Sequence, residues 1–130
     1  MSTSRSVRVA GALLTGALIA LPLSSPARAA DTAAPTAPVL VDAEGYQCLE
    51  VDVLFTRSTD AVTPQHSLVH RIYSDGSLIG WSDDHGISAW IWAAAYASHP
   101  GRTLITVTAV DTAGNESAAS NAMAATTATR

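Results

Sequence analysis

Lysine is absent from this chain and cysteine occurs once, at Cys48. A single cysteine excludes an intramolecular disulfide, so the fold must be held by packing and hydrogen bonds. Cys48 opens the apolar run Cys48-Leu49-Glu50-Val51-Asp52-Val53-Leu54-Phe55. Free cysteine is among the most buried residue types, so Cys48 is expected buried at a strand edge. A Cys48-linked dimer is the alternative to a monomer. Without lysine, positive charge rests on seven arginines, three of which (Arg5, Arg8 and Arg28) lie in the first 28 residues. Beyond residue 29 four arginines meet eleven acids, a formal charge of −7. Such a surface repels phosphate, which argues against nucleic acid and anionic membrane as partners.

Long hydrophobic runs are missing as well. The longest uncharged apolar stretch, Val9 to Leu21, has 13 residues, whereas a membrane-spanning helix needs about 20. It follows Arg5 and Arg8 and leads to Pro26-Ala27-Arg28-Ala29-Ala30. A basic start, an apolar centre and small residues at the end describe a secretory signal, cleaved after Ala29 or Ala30. The Arg5-Ser6-Val7-Arg8 spacing is not a twin-arginine pair, and no cysteine follows the run to carry a lipid. The expectation is a secreted protein, bacterial by the alanine-rich style of its signal. Its division is a signal over 1–29, an extended leader over 30–37, one domain over 38–127 and a short tail over 128–130.

The usual constellations of catalysis are also lacking. No Gly-x-Ser-x-Gly element occurs, and His66, His70, His85 and His99 show no metal-ligand spacing. Asp83, Asp84 and His85 stand together, but a calcium loop needs several spaced oxygen ligands, so a solvated turn is expected there. Asn115-Glu116-Ser117 matches a glycosylation sequon and is read as a turn. No catalytic residue, no metal ligand and no cofactor is assigned.

What remains is β patterning. Val51, Val53 and Phe55 alternate with Glu50, Asp52 and Leu54, the period of a half-buried strand. Asp75-Gly76 between two apolar runs is a tight hairpin signal, because both positions tolerate positive φ. Strands are expected from Val39, over 49–55, 68–73, 78–81, 87–95 and 102–110, and within 118–126. Seven short strands without an amphipathic helix describe an all-β, two-sheet antiparallel sandwich.

Several segments resemble a bacterial fibronectin type III domain of the kind attached to secreted glycoside hydrolases. They are Ala34-Pro35-Thr36-Ala37-Pro38, Phe55-Thr56-Arg57-Ser58-Thr59-Asp60, Tyr73-Ser74-Asp75-Gly76 and, most specifically, the run from Thr106 through Val-Thr-Ala-Val-Asp-Thr-Ala-Gly-Asn-Glu-Ser to Asn121. The resemblance implies a seven-stranded, immunoglobulin-like sandwich. It also sets three departures: Phe55 stands where the family has a core tryptophan, Thr103 where it has a corner tyrosine, and His70 where it has an aromatic opening the third strand. Trp90 and Trp92, sharing one strand face, are expected to supply the missing core volume.

The same aromatics offer the alternative of a ligand site. Trp81, Trp90, Trp92 and Tyr96 together would form a platform on which sugar rings stack, with Trp81 expected at the surface. The functional expectation is a secreted, non-catalytic binding module for an extracellular glycan or a cell-surface protein. An inert spacer without a ligand is one alternative, and an enzyme the remoter one. Exposure of the three tryptophans separates binding module from spacer.

Overall fold

The computed structural model describes residues 29–85 and 88–130. The expected signal therefore lies, apart from Ala29, outside the described residues. Seven strands follow one another: β1 (Leu40–Gly45), β2 (Glu50–Thr56), β3 (Val69–Ser74), β4 (Ser77–Asp83), β5 (Trp90–Tyr96), β6 (Gly101–Val110) and β7 (Met123–Thr127). They form a three-stranded sheet ordered β1-β2-β5 and a four-stranded sheet ordered β4-β3-β6-β7, with every pairing antiparallel. The expected all-β sandwich is what the chain forms.

Alternation along the strands builds the core. Val51, Val53 and Phe55 of β2 are fully buried, and Ile91 and Ala95 of β5 lie beside them. Ile72, Ile105, Val107 and Ala125 close the cluster from the other sheet. Each large aliphatic or aromatic side chain removed from water in this way contributes about 1.5–3 kcal/mol. Glycine lets the layers meet at their edges. A Cβ on Gly45 would lie 2.3 Å from the Thr126 carbonyl oxygen, and one on Gly80 would lie 3.0 Å from the Ala95 Cβ. Only a residue without a side chain lets β1 approach β7, and β4 approach β5, so closely.

The motif at the C-terminal end of the domain works through hydroxyls and one carboxylate. Asp111 Oδ1 accepts the backbone N–H groups of Ala113 (2.9 Å) and Asn115 (2.8 Å), closing the turn after β6. Ser117 and Ser120 then lay the chain back along β6. Their Oγ atoms accept the Ala109 and Val107 N–H groups, each at 2.9 Å, and their own N–H groups donate to the same residues' carbonyls. Asn121 ends the run by clamping the start of β1, accepting from Leu40 N–H and donating to its carbonyl, both at 2.9 Å. Asp75 and Gly76 adopt positive φ (47° and 81°), as the two-residue hairpin between β3 and β4 requires.

Three expectations are corrected. Trp90 and Trp92 do not fill the core: Ile91 and Ala95 occupy the inward positions of β5, and a strand has only two faces, so both tryptophans point outward. The missing core tryptophan is replaced instead by Phe55 and His70, whose rings lie 5.0 Å apart at 49°. Both are fully buried. Cys48 is exposed, not buried. It sits in the turn Gln47–Leu49, where it and Leu49 take φ of 60° and 65°, which ends the strand pattern before β2 begins. Asp84, expected in a solvated turn, is buried and paired with Arg57, whose Nε donates to Oδ2 at 2.8 Å and whose Nη2 donates to Oδ1. Thr103, at the corner tyrosine position, is buried too, and its hydroxyl donates to Asp75 Oδ2 at 2.9 Å, tying the hairpin to β6.

Candidate functional site

The outer face of the three-stranded sheet gathers most of the exposed aromatic side chains. Because Ile91 and Ala95 point inward, Trp90, Trp92, Ala94 and Tyr96 all point outward. Trp90 is 48% exposed, Trp92 67% and Tyr96 61%, values that exclude a core role for all three. Trp81 is 70% exposed but lies elsewhere. On β4 it pairs with Arg71 of β3, and so faces outward from the four-stranded sheet, on the opposite side of the sandwich. The four aromatics singled out in the sequence thus divide into a row of three and one apart.

Register sets what stands beside the row. Across β2, Trp90 faces Thr56, Trp92 faces Leu54, Ala94 faces Asp52 and Tyr96 faces Glu50. Across β1, Leu54 faces Asp42 and Asp52 faces Glu44. Directly paired residues share a sheet face. The result is a face with an aromatic margin on β5 and four carboxylates, Asp42, Glu44, Glu50 and Asp52, over β1 and β2. Neither lysine, arginine nor histidine occurs in these three strands. Tyr46, just past β1, donates its hydroxyl to Glu44 Oε2. That hydrogen bond, then desolvation and the charges of Glu44, Asp52 and Asp42, pushes the Tyr46 hydroxyl up to about 12.

Two hollows flank Trp92. One of about 210 Å³ is lined by Asp52, Trp92, Ala93 and Ala94. The other, about 280 Å³, lies at the β4–β5 end between Trp90, Trp92 and the Asp83–His85 segment. Trp81 lines neither.

Two further groupings were not apparent in the sequence. His70 Nε2 lies 3.3 Å from Ser58 Oγ, the separation of a nucleophile and its base. Both residues are fully buried, and His70 Nδ1 has no hydrogen-bond partner to orient the ring. Burial pushes the His70 imidazole down to about 4, so this neutral ring is a core element beside Phe55. One carboxylate oxygen each from Asp31, Asp60 and Asp111 lie within 4.8 Å of one another, brought together by loops distant in sequence. Asp60 is held below the usual carboxylate range by the Thr63 and Val62 N–H groups. Backbone donors also serve the other two carboxylates, while Asp31 Oδ2 is buried with no hydrogen-bond partner among the described residues.

On the opposite outer face, Glu116 accepts from Arg71 Nη1 (2.9 Å), the Tyr73 hydroxyl and the Thr108 hydroxyl (each 2.6 Å). Those donors hold its carboxyl below the usual range, Thr108 most strongly. The polar groups around Trp81 are therefore already satisfied within the protein.

Neither a known protein family nor a curated protein matches the chain. Solved structures do. Fibronectin(III)-like modules of CbhA from Clostridium thermocellum superpose with a TM-score of 0.51 at 20% identity, over 73% of this chain and 47% of theirs. The chain thus spans about half the length of that match. A PKD domain of an M14-like peptidase from a Thermoplasmatales archaeon superposes with a TM-score of 0.50 at 16% identity, over 72% of this chain and 95% of that domain. At these identities the likeness concerns the fold, and the chain is an immunoglobulin-like β-sandwich of the shape that fibronectin(III)-like and PKD modules share.

Proposed function

We propose that this chain is a secreted, non-catalytic accessory module of the fibronectin type III kind, which holds an extracellular polysaccharide on the outer face of its three-stranded sheet. One observation carries the reading: Trp90, Trp92 and Tyr96 stand exposed in a single row on the outer face of β5. Large aromatic rings bury well against apolar surfaces, and exposing three on one strand costs hydration that a partner relieves. The C–H faces of sugar rings are such a partner. An inert spacer has no use for the row.

Retention of the purified chain on insoluble cellulose, chitin and bacterial cell wall tests this. At least one matrix is expected to retain the protein, Trp92→Ala to release it, and Trp81→Ala to leave retention unchanged. Passage through all three matrices would overturn the reading in favour of the spacer. So would retention that Trp92→Ala does not alter.

A further inference from the structure

The acids beside the aromatic row select among polysaccharides. A neutral glycan needs only the rings, whereas this face also carries Asp42, Glu44, Glu50 and Asp52 without a cation on its three strands. Glu44 is engaged by the Tyr46 hydroxyl, and Asp42 Oδ1 accepts the Ala43 N–H at 2.9 Å. Asp52 is engaged by no hydrogen bond or ion pair among the described residues. It lines the hollow of about 210 Å³ together with Trp92, Ala93 and Ala94. Asp52 pairs with Ala94, which places Trp92 at its diagonal, a distance that a large aromatic side chain reaches.

Both walls of this hollow attract the same chemistry. An indole face draws a cation through its quadrupole, and a carboxylate draws it by charge. An anionic glycan would be repelled, and a neutral one would offer the Asp52 carboxylate hydroxyl donors without the charge that strengthens an ammonium contact.

We infer that the Trp92–Asp52 hollow takes the ammonium-bearing ring of an amino sugar, and that the ligand class of this face is a polysaccharide with free amino groups. The inference rests on the glycan-holding reading above and narrows it. A pyranose ring lies against Trp92, its ammonium group donates to Asp52, and the neighbouring rings run along the β5 row toward Tyr96 or Trp90. Glu50, Asp42 and Glu44 add longer-range attraction across the face.

The test compares binding of the purified chain to chitosan, whose amines are free, with binding to the same polymer fully N-acetylated, at a pH where the amines are protonated. Chitosan is expected to bind at least about tenfold more tightly. Asp52→Asn is expected to remove about fivefold or more of the chitosan affinity while leaving that for the acetylated polymer unchanged. Trp92→Ala should weaken both, and Glu116→Gln, an equal loss of charge on the opposite outer face, should weaken neither. Asp52 projects outward, so folding of the variant is checked by an unchanged thermal melt.

Equal affinity for the two polymers, indifferent to Asp52→Asn, would overturn the amino-sugar inference and leave the broader glycan reading standing. Chitosan binding that Glu116→Gln and Asp52→Asn reduce alike, and that Trp92→Ala spares, would overturn it as bulk charge adsorption. Retention of polylysine but of no polysaccharide would overturn both the inference and the glycan reading, in favour of a cationic peptide.

Discussion

Acidification from pH 7.5 to 4.5 is expected to weaken this fold through His70. The ring is fully buried against Phe55, with one nitrogen near Ser58 and the other without a partner. Burial disfavours the charged form and lowers its pKa from 6.5 to about 4, with attraction to Asp84 and repulsion from Arg57 as lesser, opposing effects. A histidine with a depressed folded pKa binds fewer protons folded than unfolded between the two values. Its contribution is therefore complete above about pH 6.5 and is lost progressively as the pH falls toward 4. Integrated from pH 7.5 to 4.5, the loss is about 2–3 kcal/mol.

Urea unfolding of the native chain and of His70→Phe at both pH values isolates this effect from that of the carboxylates. Phenylalanine keeps a ring against Phe55 and removes the titration, at a pH-independent cost of about 1 kcal/mol for the lost Ser58 partner. Relative to His70→Phe, the native chain should lose about 2–3 kcal/mol on going to pH 4.5. A difference between the two proteins that stays constant within about 0.5 kcal/mol would refute the reasoning. So would a directly measured His70 pKa near 6.5 in the folded state.

Other perturbations act by different routes. Arg57→Met removes the two-pronged partner of Asp84, whose side chain is 1% exposed, and is expected to destabilise the fold. Thermal melts should show a lower Tm, largely recovered when Asp84→Leu is added. Gly45→Ala drives a methyl to 2.3 Å from a backbone oxygen of β7, which no rotamer relieves. It should cost more than about 2 kcal/mol in urea unfolding, while Gly80→Ala, which meets only the Ala95 methyl at 3.0 Å, should cost less. Cys48, exposed in its turn, should react with a thiol reagent in the native state within about tenfold of its rate in denaturant. Protection by several orders of magnitude would contradict the turn described here.

Features set by local chemistry were legible in the sequence. The alternation of β2 and the Asp75-Gly76 hairpin each depend on neighbours along the chain, so period and turn residues sufficed. The Asp111 to Asn121 motif was legible as a resemblance, and its hydroxyls and carboxylates do bind the turn back to β6 and β1. Misreadings arose where a residue has two plausible faces. In Trp90-Ile91-Trp92 every residue is apolar, so alternation gives no polar mark to show which side is inward. The small Ala93 and Ala95 give no better mark, and only the pairing with β2 decides it. Cys48 was misplaced because apolar composition runs continuously into β2, while the two positive φ values that expel it have no signature without glycine. Asp84 found its partner in Arg57 across a tertiary contact that no local spacing encodes. The four carboxylates of the binding face were visible singly, but their gathering on one side depends on the register of three strands.

That gathering is the central claim, and amide chemical-shift mapping by NMR tests it most directly. The isotope-labelled chain is titrated with a soluble glucosamine oligosaccharide whose amines are free. Shifts centred on Asp52, Leu54, Trp92, Ala94 and Tyr96, and lost in Trp92→Ala, are the predicted result. Shifts centred on Trp81 and Arg71 of the other sheet, or no shifts at the highest oligosaccharide concentration, would contradict it.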